Sequence, residues 1–275
     1  MAIKDILVFL DDGASNIERV HAAFCLAKIH NAKLTGATLA SLKPMHAKVS
    51  DDRAIARMGE KLSNKLVEDF QRDAEQHGLN VKTLIIFGDA LTSALKMSHY
   101  ARNYDLVILR QPNPARDHYD RLNVFAQKVM LLSGRPILFM PYIGARKLPF
   151  EKAMIAWDGT PAASRAVHDA IPVLATLKEV IILVVESVKQ MHSKKDVLDE
   201  GLAAHLANHD VQARVLRVRP GISNVASVIL NQISENDIDL LVIGGYGTPT
   251  FKQKVFGNVT RSMLGSMIVP LLMSH

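Results

Sequence analysis

The chain repeats one arrangement of motifs, and a repeat of domain length limits its fold more than any other feature of its 275 residues. Ile6-Leu7-Val8-Phe9-Leu10 is a short run of β-forming apolar residues that ends in Asp11-Asp12-Gly13. Met154-Ile155-Ala156-Trp157 ends in Asp158-Gly159 in the same way, and Asp158 stands 147 positions after Asp11. Toward the end of each half, Asp105-Leu106-Val107-Ile108-Leu109 returns as Asp239-Leu240-Leu241-Val242-Ile243, and Pro136-Ile137-Leu138 returns as Pro270-Leu271-Leu272. Both of these matches lie 134 positions apart. The drop from 147 to 134 gives the first copy 13 extra residues, expected after its second strand, around 43–57.

Each half alternates strand and helix through five strands. The strands of the first copy are predicted near 4–10, 33–40, 81–87, 105–110 and 136–140, with helices near 16–30, 52–77, 91–102 and 121–133. Those of the second copy are predicted near 152–157, 179–186, 212–218, 239–244 and 269–273. The strands are continuously apolar rather than alternating, which suits strands covered on both faces. Alternation of β and α elements implies parallel sheets with right-handed crossovers. The expected architecture is therefore α/β: two tandem doubly wound domains, each an open five-stranded parallel sheet with helices on both faces. Residues 1–143 form the first domain and 150–275 the second, around a linker from Pro141 to Pro149 that contains Gly144 and breaks the periodicity. Local signals mark two helix starts. Ser15 with Glu18 reads as a capping box, and Thr160 reads as an N-cap with Pro161 at the favoured first helical position.

Composition narrows the class. A 48% share of hydrophobic residues with 22% charged is enough for buried cores and argues against disorder. The net charge of +6 could favour anionic ligands, but the Lys and Arg residues are scattered and aromatics are only 5%, so nucleic acid is not expected as a partner. A single cysteine, Cys25, excludes an intrachain disulfide and fits a reducing compartment. The start of the sequence has no signal-peptide pattern, and apolar runs such as Val180 to Val185 are too short to cross a bilayer. The expected location is cytoplasmic, without a membrane partner.

The chemistry is concentrated after the fourth strand of the second copy. Gly244-Gly245-Tyr246-Gly247 is followed nine residues later by Gly257-Asn258, a G-x2-G-x9-G-N pattern, and a helix is predicted from Val259 to Leu264. Phosphate oxygens bind well where several backbone N–H groups converge, and glycine permits the positive φ and close backbone approach this needs. A helix starting just after Gly257 adds free N–H groups and the positive end of its dipole. Asn258 could donate an amide N–H to phosphate or serve as an N-cap. In open α/β sheets ligands bind at the carboxyl ends of the strands, where Asp158 could accept hydrogen bonds from ribose hydroxyls. The pattern is neither a P-loop nor the dinucleotide fingerprint, and three glycines alone equally describe a surface turn. Lys252 and Lys254 could fold over phosphates or belong to a solvated loop.

Other residues read more plainly. His205 and His209 have the i, i+4 spacing of a metal pair but no evident third ligand beyond His192 in the same region, so surface histidines are the expectation and no metal is assigned. Cys25 reads as a partly buried structural thiol and Trp157 as core. No catalytic constellation is present, neither a nucleophile elbow nor H-E-x-x-H. Asp158 could hold Mg²⁺ beside the phosphates, which would permit slow hydrolysis. Two alternatives to a nucleotide-binding regulatory protein therefore stay open: a slow ATP hydrolase or phosphotransferase, and a nucleotide-free structural pseudo-dimer.

The spacing G-x2-G-x9-G-[S/T/N], the Asp ending the first strand, the hydrophobic second strand Ile181 to Val185 ending in Glu186, and the terminal strand containing Pro270 together resemble the universal stress protein family. The resemblance covers essentially the whole chain as two tandem domains. It implies ATP, ADP or AMP as ligand. Asp158 would lie near ribose and adenine, Val185 would offer backbone to the adenine, and Gly244, Gly247, Gly257 and Asn258 would cradle the phosphates. It also implies pairing through fifth strands, which a tandem chain can satisfy internally with Ile137 to Met140 beside Leu271 to Met273, and homodimers remain open. The first copy departs from the pattern: at an offset of 134, Arg110, Asn113, Asn123 and Val124 stand where Gly244, Gly247, Gly257 and Asn258 stand in the second. Nucleotide binding is therefore not expected in the first copy. Arg110 and Arg116 could still contact an anion, but a surface role is the expectation for both.

Overall fold

A computed structural model describes residues 2–40, 52–111, 119–143, 145, 147–186, 196–245 and 258–274. The chain divides into two units, Ala2–Gly144 and Ala145–His275. In the first, strands β1 (Asp5–Phe9), β2 (Lys33–Leu39), β3 (Val81–Ile86), β4 (Leu106–Arg110) and β5 (Ile137–Met140) alternate with helices α1 (Asn16–His30), α2 (Asp52–Gln76), α3 (Ala90–Ala101) and α4 (Tyr119–Ser133). In the second, β6 (Lys152–Ala156), β7 (Glu179–Val185), β8 (Ala213–Val218), β9 (Leu240–Gly244) and β10 (Leu271–Ser274) alternate with α5 (Pro161–Leu174), α6 (Asp196–Ala207), α7 (Val225–Glu235) and α8 (Asn258–Ser266).

Within domain one the strands run parallel in the order β3-β2-β1-β4-β5. Domain two repeats this as β8-β7-β6-β9-β10. Right-handed crossovers that first run to one side of β1 or β6 and then to the other place successive helix pairs on opposite faces. On one face of domain one the Phe24 ring of α1 stacks on Phe70 of α2 at 5.7 Å. Covered on both sides, the central strands bury every side chain from Ile6 to Phe9 and from Leu106 to Arg110, as their continuous hydrophobicity requires. No helix among the described residues is long and apolar enough to cross a membrane.

The strand ladders fix the internal register more closely than the motifs do. β1 and β6 correspond at 147, since Ile6 pairs with Leu34 as Ala153 pairs with Val180. The same pairs put β2 and β7 at 146. Leu34 pairs with Val81 and Val180 with Ala213, which puts β3 and β8 at 132; β4 and β5 return to 134. The first copy thus carries 14 extra residues between its second and third strands, one more than the motif offsets imply. Part of this length is helix: α2 has 25 residues and α6 has 12. Residues 43–51 of the expected insertion lie outside the described residues.

One aspartate per domain ties down the opposite, amino-terminal edge. The Asp105 carboxylate accepts from the Lys4 and Asp5 amides at 2.7 and 3.1 Å, and its equivalent Asp239 accepts from Glu151 and Lys152 at 3.0 and 3.1 Å. The first amides of β1 and β6 are thereby satisfied.

Candidate functional site

The chain reverses direction across the sheet between β1 and β4, and again between β6 and β9, and an open α/β sheet forms its crevice at such a switch point. In domain two, Val185, Asp158 and Gly244 stand at the carboxyl ends of the neighbouring strands β7, β6 and β9. Val185 and Gly244 are half-buried and Asp158 is exposed. The helix after β9 begins at Asn258, as the sequence leads one to expect. Gly247, Gly257, Lys252 and Lys254 lie outside the described residues.

The turn from β6 into α5 follows from its residue types. Gly159 has φ +71°, a left-handed conformation that glycine adopts without a Cβ penalty. Thr160 is extended at φ −79° and ψ 158°, and its hydroxyl accepts from the Ala163 amide at 3.2 Å. The same hydroxyl donates to Asp158 Oδ1 at 2.7 Å, and the Thr160 amide donates to that oxygen at 3.0 Å. The expected N-cap with Pro161 behind it is present, and it also orients the carboxylate. Gly244 is required by proximity: a Cβ there would lie 2.5 Å from the Ala163 amide nitrogen and 2.6 Å from the Ala162 carbonyl carbon. The end of β9 therefore presses against the first turn of α5, next to Asp158.

Domain one builds the corresponding place from opposite materials. Asp11, equivalent to Asp158, is buried at 2% exposure. Its Oδ2 lies 2.7 Å from Arg110 Nη1, and its Oδ1 lies 3.1 Å from Arg19 Nη2 and accepts the Gly13 amide at 2.8 Å. Arg19, itself fully buried, also donates from Nε to the Phe9 carbonyl at 2.6 Å and from Nη2 to Asn16 at 2.7 Å. Burial by itself would raise the Asp11 pKa; the Arg19 and Arg110 guanidiniums and the Gly13 amide outweigh it and hold the group at about 2. The equivalents of Arg19 and Arg110 in domain two are Ala166 and Gly244, neither of which carries a charge.

Two expectations are overturned here. Arg110 is not a surface residue: it is 5% exposed and bonded to Asp11, because the strand end that carries it points into the crevice. Nor does Ser15 cap α1. Its φ and ψ of −76° and 5° are not extended, and its hydroxyl caps no amide. The Asn16 side chain instead accepts from the Asp11 amide at 3.1 Å and from Arg19. The helix starts two residues later than its counterpart, which begins at Pro161, the position equivalent to Ala14. Arg116 and Asn113 lie outside the described residues, as do the side chains of Asn123 and Val124.

The remaining candidates take modest places. Trp157 is half-buried rather than fully in the core, with its indole Nε1 buried and without a hydrogen-bond partner among the described residues. Cys25 is half-buried, and burial raises its thiol pKa, which disfavours the reactive thiolate. The His205 and His209 rings meet edge to face at 4.8 Å; His192 lies outside the described residues. Arg19 was the residue that sequence reasoning missed. Its signal was an arginine beside the apolar stripe of α1; its guanidinium lies 5.9 Å from the centroid of the Phe9 ring.

Comparison with known proteins supplies the remaining findings. The model of the Universal stress protein family matches residues 149–275. No curated relative matches the sequence. The chain is similar in structure to a universal stress protein from Archaeoglobus fulgidus DSM 4304, at 14% identity and a TM-score of 0.72, covering 98% of this chain and 97% of that one. It is likewise similar to a putative universal stress protein from Pseudomonas aeruginosa UCBPP-PA14, at 17% identity and a TM-score of 0.60, with 99% and 93% covered. A universal stress protein solved in complex with cAMP covers 51% of this chain and 98% of itself, at 17% identity and a TM-score of 0.39. The whole-chain likenesses show that both domains share one fold.

Proposed function

Because residues 149–275 belong to the universal stress protein family, we propose that this chain is an adenine-nucleotide-binding regulatory protein with one site, in the crevice of domain two. The observation that carries the proposal is the contact between Gly244 and the first turn of α5, where any Cβ would meet the Ala163 amide at 2.5 Å. That close approach sets the end of β9, and the glycines that follow it in sequence, beside an exposed carboxylate, which suits a ligand with a hydroxylated sugar and an anionic tail.

In this reading Asp158, oriented by Thr160, accepts hydrogen bonds from ribose hydroxyls. Val185 offers backbone to the adenine. Gly244, Gly247, Gly257 and Asn258 hold the phosphates, ATP, ADP and AMP being the candidate ligands. Mg²⁺ accompanying a triphosphate would be held through Asp158. The chain's contribution is binding and orientation. The contrast with domain one supports a single site, since Asp11 there is already bonded to two guanidiniums. The proposed location is the cytoplasm, where a lone cysteine stays reduced.

Calorimetry with ATP tests the proposal. The wild-type chain should bind one equivalent, and Gly257→Val should lose at least about tenfold in affinity, or about 1.4 kcal/mol. Equal heats from the two proteins would remove the glycine loop from the account.

A further inference from the structure

In domain one the carboxylate at the crevice has most of its hydrogen-bonding capacity taken up by the chain. An ionised carboxylate offers about four lone-pair sites. Asp11 commits three of them to Arg110 Nη1, Arg19 Nη2 and the Gly13 amide, at 2.7, 3.1 and 2.8 Å. Each of these donors occupies an acceptor position that a sugar hydroxyl would otherwise use. Both arginines reach Asp11 from inside the domain, at exposures of 0% and 5%. They come from the two elements that flank the crevice, α1 and the end of β4. In domain two the same positions hold Ala166 and Gly244, and Asp158 is exposed.

We infer that Arg19 and Arg110 act as a built-in plug, holding shut a latent nucleoside site at Asp11 and so making domain one indifferent to ligand while domain two responds. The inference rests on the reading of domain two given above. Its ligand class is a nucleoside rather than a nucleoside triphosphate, because Asn113 and Asn123 replace the glycines of the phosphate loop. The plug also explains the delayed start of α1. A side chain at 110 cannot share space with a helix turn placed like that of α5, where even a Cβ would be too close to Ala162 and Ala163.

Hydrogen–deuterium exchange on the wild-type chain, with and without saturating ATP or adenosine, tests the plug without any substitution. Amides of 158–166 should slow with ligand while those of 11–19 and 106–111 stay unchanged. Ligand-dependent protection of 11–19 would overturn the inference. No change at 158–166 would instead sink the proposed function and the inference with it. A second measurement asks whether the latent site can be opened. Equilibrium dialysis of adenosine against Asp158→Ala should show no bound ligand, and the Arg19→Ala, Arg110→Gly, Asp158→Ala chain should bind one equivalent that Asp11→Ala then abolishes. A triple variant that is folded by circular dichroism and binds nothing also overturns the inference.

Discussion

Arg110 Nη1 sits 2.7 Å from Asp11 Oδ2, with both side chains buried, although the residues are 99 positions apart. In domain two the equivalent pair is Gly244 and Asp158, with no cation at 244. Two substitutions, at the strand end and at position 19 of α1, thus separate a carboxylate committed to the fold from one facing solvent.

The two aspartates should therefore differ in what they contribute to stability. Asp11→Asn leaves two buried guanidiniums without an anion, and breaking a buried ion pair from one side costs roughly 3–5 kcal/mol. Asp158→Asn, at an exposed position, should cost under about 1 kcal/mol. Urea denaturation of both variants, with the transitions of the two domains followed separately, checks the difference.

Acid should act through Asp11. Its folded pKa of about 2 lies below its ordinary value of 3.8. A depressed carboxylate pKa contributes stability that is complete above the unfolded value and is lost as pH falls through the folded one. The contribution is roughly 2 kcal/mol at neutral pH. It should fade between about pH 4 and pH 2 in the wild type, and that portion of the pH dependence should be missing from Asp11→Asn. Parallel curves for the two proteins over this range would contradict it.

Gly244→Ala places a methyl group against the start of α5. Overpacking of this kind costs roughly 1–3 kcal/mol. Since the atoms it meets are backbone, the helix start must shift and take Asp158 with it. A lower melting temperature should be accompanied by weaker ATP binding. Unchanged affinity would detach the glycine from the site.

Thr160 has two partners, the Ala163 amide and Asp158. Thr160→Ala should cost about 1 kcal/mol as a lost N-cap and should also lower ATP affinity by freeing the carboxylate. Thr160→Ser keeps the hydroxyl and should restore both. Thermal melts and calorimetry on the three proteins distinguish a cap alone from a cap that orients Asp158.

Trp157, the single tryptophan of the chain, adjoins Asp158. Its emission should change on titration with ATP and remain constant in Gly257→Val. An identical response in both would place the reporter, or the ligand, elsewhere.

What the sequence alone determined is whatever depends on neighbours along the chain. Continuous apolar runs gave the strands, because a strand covered on both faces needs no polar alternation. Thr160 and Pro161 set the start of α5, because a cap is completed within a few residues. The repeat of Asp11 as Asp158 marked equivalent ends of the first strand in each domain. Tertiary structure decided what each crevice contains. Arg19 and Arg110 carry no local sign that they converge on Asp11, since only the folded sheet and helix bring positions so distant into one low-dielectric site where charges must pair. Ser15 has the residue type of a cap, yet the backbone around the buried aspartate leaves its hydroxyl without that role. The need for glycine at 244 likewise comes from the packed backbone of Ala162 and Ala163, a neighbour that no local pattern reveals.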